Sequence, residues 1–182
     1  MGIAAENIKE LMEKLMNHAK EIRSSYKFSE DEKMLPIAFI NSGDELTIVG
    51  MTWKDDEEKY QIAAMIKTMA RMVNAKSLSF VTDGRTVKQA EFMKYFKIPK
   101  DLPYLPYKSR YHQILRDHGG SVANLPRHLW HDILIVMTNG PEIPLTVQFQ
   151  SYIEGENDTV KYIENSLIPD AYKSDLLTDW WK

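Results

Sequence analysis

The chain contains no cysteine among its 182 residues. That excludes a disulfide framework, a thiolate zinc site and a cysteine nucleophile, and it fits a reducing compartment such as the cytoplasm. No apolar run approaches the ~20 residues needed to cross a bilayer, so no membrane partner is expected. The start, Met1-Gly2-Ile3-Ala4-Ala5-Glu6, turns acidic at once and lacks the basic and apolar regions of a secretory signal. Glu6 stands where myristoylation of Gly2 would need Ser or Thr. A glycine-rich phosphate loop is missing too. Asp83-Gly84-Arg85 and His118-Gly119-Gly120-Ser121 have neither its spacing nor its Lys-Ser/Thr ending. Ser121 has no nucleophile-elbow context.

What is present is a charge asymmetry hidden in a formal total of −3. Between Arg85 and His131 stand nine lysines and arginines against Glu91, Asp101 and Asp117, so this stretch carries +6 and the remainder −9. The sum depends on its borders: adding Asp83 and Asp132 lowers it to +4. The same stretch holds four of the five histidines and seven aromatic residues. A basic, aromatic segment is a candidate contact surface for an anionic partner. The residues expected to form it are Lys94, Lys97, Lys100, Tyr104, Tyr107, Lys108, Arg110, Arg116 and Arg127.

Around this excursion, at about 85–131, the pattern predicts a single α+β domain spanning 1–182. Ile8, Leu11, Met12, Leu15, Ala19 and Ile22 recur at helical steps, and Lys20, Arg23 and Lys27 suit the negative pole of that helix. Residues 28–33 form a polar connector. Met34–Ile40 and Glu45–Val49 flank Asn41-Ser42-Gly43-Asp44, which predicts a β-hairpin with Pro36 at a strand start or edge. Asp55 opens a second helix with Glu58 placed for a capping box, and Asn74 stops it. Its carboxylates complement the helix dipole, a sufficient reason for the acidic run without invoking magnesium.

Further on, Ser77–Val81 predicts a third strand closed by Asp83-Gly84, and Val87–Phe96 a helix. Leu102-Pro103-Tyr104 and Leu105-Pro106-Tyr107 favour extended polyproline geometry. Gly119-Gly120 breaks the chain. Ile133–Met137 and Leu145–Ile153 predict a second hairpin turning at Thr138–Pro141. A charged loop at 154–158 leads to a helix through Val160, Ile163 and Leu167, and 170–182 ends in another helical piece. Met12, Met16, Met65, Met69 and Met72 read as core, and Trp180-Trp181 as a pair folding back to seal that core.

Short turns favour antiparallel pairing, so the expected fold is a five-stranded, mainly antiparallel sheet covered by helices. Outside the excursion this element order is similar to that of profilin-like and roadblock-like folds, a resemblance that implies binding and scaffolding. Leu35-Pro36-Ile37-Ala38, the hairpin, and Lys54-Asp55-Asp56-Glu57-Glu58-Lys59 weakly resemble uncharacterised small bacteriophage-encoded proteins. That resemblance implies a phage accessory protein in the host cytoplasm and no known activity.

With no coherent catalytic constellation, the leading expectation is a non-enzymatic binding protein without cofactor, whose partner is another protein or a second copy. One alternative is nucleic-acid binding through 85–131, with Lys and Arg on phosphates and Tyr on bases. The other is a metal-dependent hydrolase using His128, His131 and Asp132 with His112 or His118, since imidazoles and a carboxylate suit zinc, manganese or iron. In an extended chain His128 and His131 point to opposite faces, so convergence requires a turn through Leu129. His131-Asp132 resembles the paired residues of HD phosphohydrolases, but those lie on helices and this pair enters a predicted strand.

Overall fold

A computed structural model describes residues 7–25, 34–154, 160–168, 177 and 180–182. The element order is α1 (Ile8–Ser25), β1 (Ile37–Asn41), β2 (Leu46–Gly50), α2 (Asp56–Met72), β3 (Ser77–Val87), α3 (Gln89–Tyr95), α4 (Tyr104–Asp117), β4 (Trp130–Gly140), β5 (Ile143–Glu154) and β6 (Val160–Ile168). The six strands form one antiparallel sheet in the order β2-β1-β3-β4-β5-β6. The α+β class is as expected, with one strand more. The chain divides into two compact units, residues 1–83 with 134–182, and residues 84–133.

In the first unit β1 is buried on both faces, which explains why it reads as a continuous apolar run rather than an alternating one. Ile37 and Phe39 join Val81, Leu134, Val136 and Tyr152 beneath Leu11, Met12, Leu15 and Met16 of α1. Ala38 and Ile40 point the other way and join Leu78, Phe80 and Leu145 against Ala63, Ile66 and Ala70 of α2. Trp180 completes that second core at 2% exposure, its indole donating to the Asn139 carbonyl at 3.3 Å, so the C-terminal tryptophan does fold back. Met12 and Met16 are buried as expected. Met65 and Met72 are not: they stand 56% and 78% exposed on the outer side of α2.

Local chemistry accounts for the ends. Asn41–Glu45 closes the first hairpin through Ser42 N–H to the Glu45 carbonyl (3.0 Å), with Gly43 at φ +96°. Asp55 caps α2 by accepting the Glu58 amide at 2.9 Å, and Glu58 reaches back to accept the Lys54 amide at 2.6 Å, one residue before the cap rather than at the Asp55 amide that a capping box would use. Asn74 takes the left-handed conformation that ends α2.

Four expectations need correction. The Asp83-Gly84 pair does not end β3, which runs on to Val87. Asp83 has a function inside the strand: its carboxylate accepts the Met34 amide (3.1 Å) and faces the Arg23 guanidinium at 4.0 Å. Arg23 in turn is 1% exposed and donates to the Tyr152 hydroxyl at 3.1 Å, so it is a buried core group rather than a cation at a solvated helix end. Residues 160–168 are strand β6, not helix, because pairing with β5 takes precedence over a three-and-four spacing. The second hairpin turns later than expected, since Thr138–Gly140 belong to β4 and Pro141-Glu142 make the turn. The polar connector at 28–33, the loop at 155–158 and most of the C-terminal piece at 170–182 lie outside the described residues.

Candidate functional site

The borders of the basic excursion coincide with those of the second unit. Residues 84–133 hold nine lysines and arginines against Glu91, Asp101, Asp117 and Asp132, a net +5. This unit has its own core of Phe92, Met93, Ile98, Ile114, Leu125 and Trp130, against which Phe96, Leu102, Tyr107 and Tyr111 pack. Phe92 is fully buried at the centre, its ring 4.9 Å from Phe96 and 5.5 Å from Tyr111.

Two helices carry four of the nine basic residues, Lys94 on α3 and Lys108, Arg110 and Arg116 on α4. The first, α3, ends where Lys97 turns left-handed at φ +54° and the Ile98 amide reaches back to the Met93 carbonyl at 2.8 Å. The second, α4, replaces the expected polyproline segment. Pro103 is its N-cap and Pro106 lies in its first turn, where a backbone N–H has no intrahelical acceptor to lose. Tyr107 N–H to the Pro103 carbonyl (2.9 Å) is the first turn's bond. The helix stops at His118, whose Nδ1 lies 2.8 Å from the Ile114 carbonyl, followed by Gly119 and Gly120 at positive φ.

Of the nine expected contact residues, the structure separates three kinds. Lys94, Lys97, Lys100, Lys108 and Arg110 are exposed and form no ion pair among the described residues. Tyr104 is 63% exposed, beside Leu105 at 71%. The remaining three are partly committed to the unit itself. Arg116 donates to Gln113 at 2.8 Å. Tyr107 is half-buried and stacks on Tyr111 with ring centroids 6.3 Å apart, so it is a core ring more than a platform for a ligand. Burial pushes both phenols above their ordinary pKa, and each other's proximity adds to the effect at Tyr111. Arg127 lies 4.0 Å over the Trp130 ring and donates to the Trp130 carbonyl (2.9 Å) and to Asp132 (3.1 Å).

Asp132 is likewise shared. Arg85 approaches it at 3.5 Å while lying 5.0 Å from the centre of Trp130, so two guanidiniums flank one carboxylate and one indole. This cluster ties the 3-10 turn at Arg127–Leu129 and the start of β4 to the end of β3. The turn through Leu129 does occur, yet it does not assemble a metal centre. His112 packs against Tyr111, His118 against Phe96 and His128 against Tyr95, at 5.4–5.6 Å between ring centroids, while His131 is half-buried in β4. Among the described residues no three His, Asp or Glu side chains stand together as a metal set. Ser121 caps a 3-10 turn by accepting the Ala123 amide. No described helix is long and apolar enough to cross a membrane.

A feature with no local signal in the sequence lies in the first unit. A cavity of about 750 Å³ opens among four chain segments: the first turn of α1, the β1–β2 turn, the α2–β3 connection and the β4–β5 turn. Its residues are scattered over more than a hundred positions, so only the fold brings them together. No family model matches the chain, and no curated protein or solved structure matches it.

Proposed function

We propose that this chain is a non-enzymatic binding protein that holds an acidic protein partner through the basic unit 84–133. One observation carries the reading: the charge asymmetry of the sequence falls on a structural division, and its lysines lie outward. A unit of +5 presents five exposed cationic side chains that form no ion pair among the described residues, in a chain of net −3. Exposed charges of one sign contribute little to stability, yet together they steer and hold an opposite charge. Tyr104 and Leu105, exposed at the start of α4, add apolar area at the rim of that surface. A cytoplasmic location, and the role of phage accessory protein in a host, belong to the same proposal.

Single-stranded nucleic acid is the second reading, favoured by Tyr104, whose exposed ring stands one helical turn from Lys108. The commitment of Tyr107 to the core removes half of the stacking pair on which that reading relied. Fluorescence anisotropy with labelled polyglutamate and with short oligonucleotides, each at low and high salt, tests both. Salt-sensitive binding of polyglutamate supports the leading reading. Preferential oligonucleotide binding with a steep salt slope replaces it with the second. No salt-sensitive binding of either probe removes both.

A further inference from the structure

Strand β2 is one margin of the sheet, with β1 on its inner side and no strand on its outer side. Its five residues, Leu46-Thr47-Ile48-Val49-Gly50, contain no charge and no proline, and its register with β1 has no bulge. Charges, prolines and bulges are what ordinarily keep an edge strand from pairing with another chain. The opposite margin, β6, has such a guard, since Lys161 and Glu164 fall within it. An edge left open in this way is a pairing surface.

The ladder fixes which groups that surface offers. Ser42 N–H donates to the Glu45 carbonyl at 3.0 Å, and Met51 N–H to the Pro36 carbonyl at 2.8 Å. With the register between them, alternation turns the amides and carbonyls of Thr47 and Val49 toward β1 and those of Leu46, Ile48 and Gly50 outward. These three residues also share one face, on which Ile48 is 49% exposed and Gly50 is exposed as well. Gly50 has no positive φ, and a Cβ there would meet nothing within 4 Å, so nothing in the chain itself calls for glycine. A strand glycine of that kind fits the close approach of another backbone.

The occupant that these residues fit is a second copy of β2. Laid antiparallel about a twofold axis at Ile48, the strand brings its outward groups together, Ile48 with the partner's Ile48 and Leu46 with the partner's Gly50. Every outward donor and acceptor is then used, and the Leu46 side chain lies beside the space the glycine leaves. Charge agrees with this arrangement. Glu45 falls opposite the partner's Met51 and Asp44 opposite the partner's Thr52, so no two like charges face each other. The acidic end of each strand meets the end of the other that leads to Lys54. A parallel in-register pairing would instead set Asp44 and Glu45 beside their own copies.

We infer that β2 joins its counterpart in a second copy of the chain, antiparallel about Ile48, so that two sheets become one. Such a contact is isologous and closes at two chains. A single strand pair buries less than the ~1,200 Å² of stable complexes, so the association is weak and reversible. The contact belongs to the first unit and stands whether or not the basic unit holds an acidic partner.

Sedimentation velocity of the full chain from micromolar to millimolar concentration tests this, at low salt and at about 1 M sodium chloride, where the screening length is ~3 Å. The mass should rise from 21.2 kDa toward twice that value and no further, at both salts. Amide exchange should slow with concentration at Leu46, Ile48 and Gly50. It should stay unchanged at Thr47 and Val49, whose bonds to β1 need no partner. Ile48→Lys and Ile48→Glu change an exposed side chain, so each should fold yet remain monomeric, because like charges would meet at the axis. Mixed in equal amounts at low salt, the two variants should recover the dimer. A chain that stays monomeric at millimolar concentration overturns the proposal, even where an extended segment of another protein binds the edge. Dimers that dissolve in high salt, persist in Ile48→Lys or grow past two chains overturn it as well. Failure of the mixture to recover the dimer overturns the axis at Ile48. If either variant does not fold, exchange in the unsubstituted chain decides: no slowing at Leu46, Ile48 and Gly50 overturns the proposal.

Discussion

Replacing Phe92 by Ala should unfold the basic unit and leave the first unit standing. Phe92 is completely buried and touches two other rings of its core, at 4.9 and 5.5 Å. Removing a buried phenylalanine costs about 3–5 kcal/mol, and the loss of two aromatic pairs argues for the upper part of that range. The unit spans residues 84–133, so at ~0.05–0.15 kcal/mol per residue its stability is about 2.5–7.5 kcal/mol. The substitution therefore removes most or all of it. Two indoles report separately on the two units. Trp130 Nε1 donates to the Leu125 carbonyl at 3.0 Å in the second unit, and Trp180 Nε1 to the Asn139 carbonyl in the first. In a proton–nitrogen correlation spectrum the Trp130 indole peak should move to its unfolded position while the Trp180 peak stays. Simultaneous loss of both peaks would refute the idea of two units, and retention of both with an unchanged urea midpoint would refute the placement of Phe92.

Alkaline pH should weaken the same unit. Tyr107 and Tyr111 have pKa values raised by burial in the folded chain, so the unfolded chain releases its phenolic protons first. Stability should be full below about pH 10 and fall as the pH rises from there through the folded values, an effect that a Tyr107→Phe, Tyr111→Phe double variant should diminish. Urea midpoints measured across that range check it, and an identical decline in the double variant contradicts it. Gly140→Ala should be severely destabilising, because a Cβ there would run into the Lys76 carbonyl oxygen, whereas Gly50→Ala meets nothing within 4 Å and should lose no more than a few tenths of a kcal/mol. Thermal melts of the two variants compare them directly.

Much of the fold was legible because local and tertiary preferences agree. The apolar stripes of α1 and α2, the turn at Asn41–Asp44 and the cap at Asp55 each specify in sequence what packing then uses. The misreadings arose where they conflict. Val160, Ile163 and Leu167 fit a helical step, but β5 offers a ladder, and tertiary pairing decides the conformation. Pro103 and Pro106 look like breakers until their positions relative to the first turn of α4 are known. Asp83-Gly84 has turn composition, yet the buried Arg23, sixty positions earlier, gives that aspartate a reason to sit in mid-strand. The basic surface was readable because charge is additive along a chain. Which of its members are spent internally was not, since Arg127 and Tyr107 are engaged by Trp130, Asp132 and Tyr111 through the fold.

The central claim is that binding resides in the exposed cations of the basic unit. Its most direct test compares two fourfold charge reversals of equal size by anisotropy against labelled polyglutamate at low salt. One carries Lys94→Glu, Lys100→Glu, Lys108→Glu and Arg110→Glu in the basic unit, and the other Lys9→Glu, Lys14→Glu, Lys54→Glu and Lys161→Glu, all exposed residues of the first unit. Circular dichroism first establishes that both variants are folded, as expected for surface charges. Loss of binding by the first variant, with most of the affinity kept by the second, is the predicted result. Equal loss in both would mean that net charge alone governs the association, and undiminished binding by the first would place the contact elsewhere; either contradicts the account.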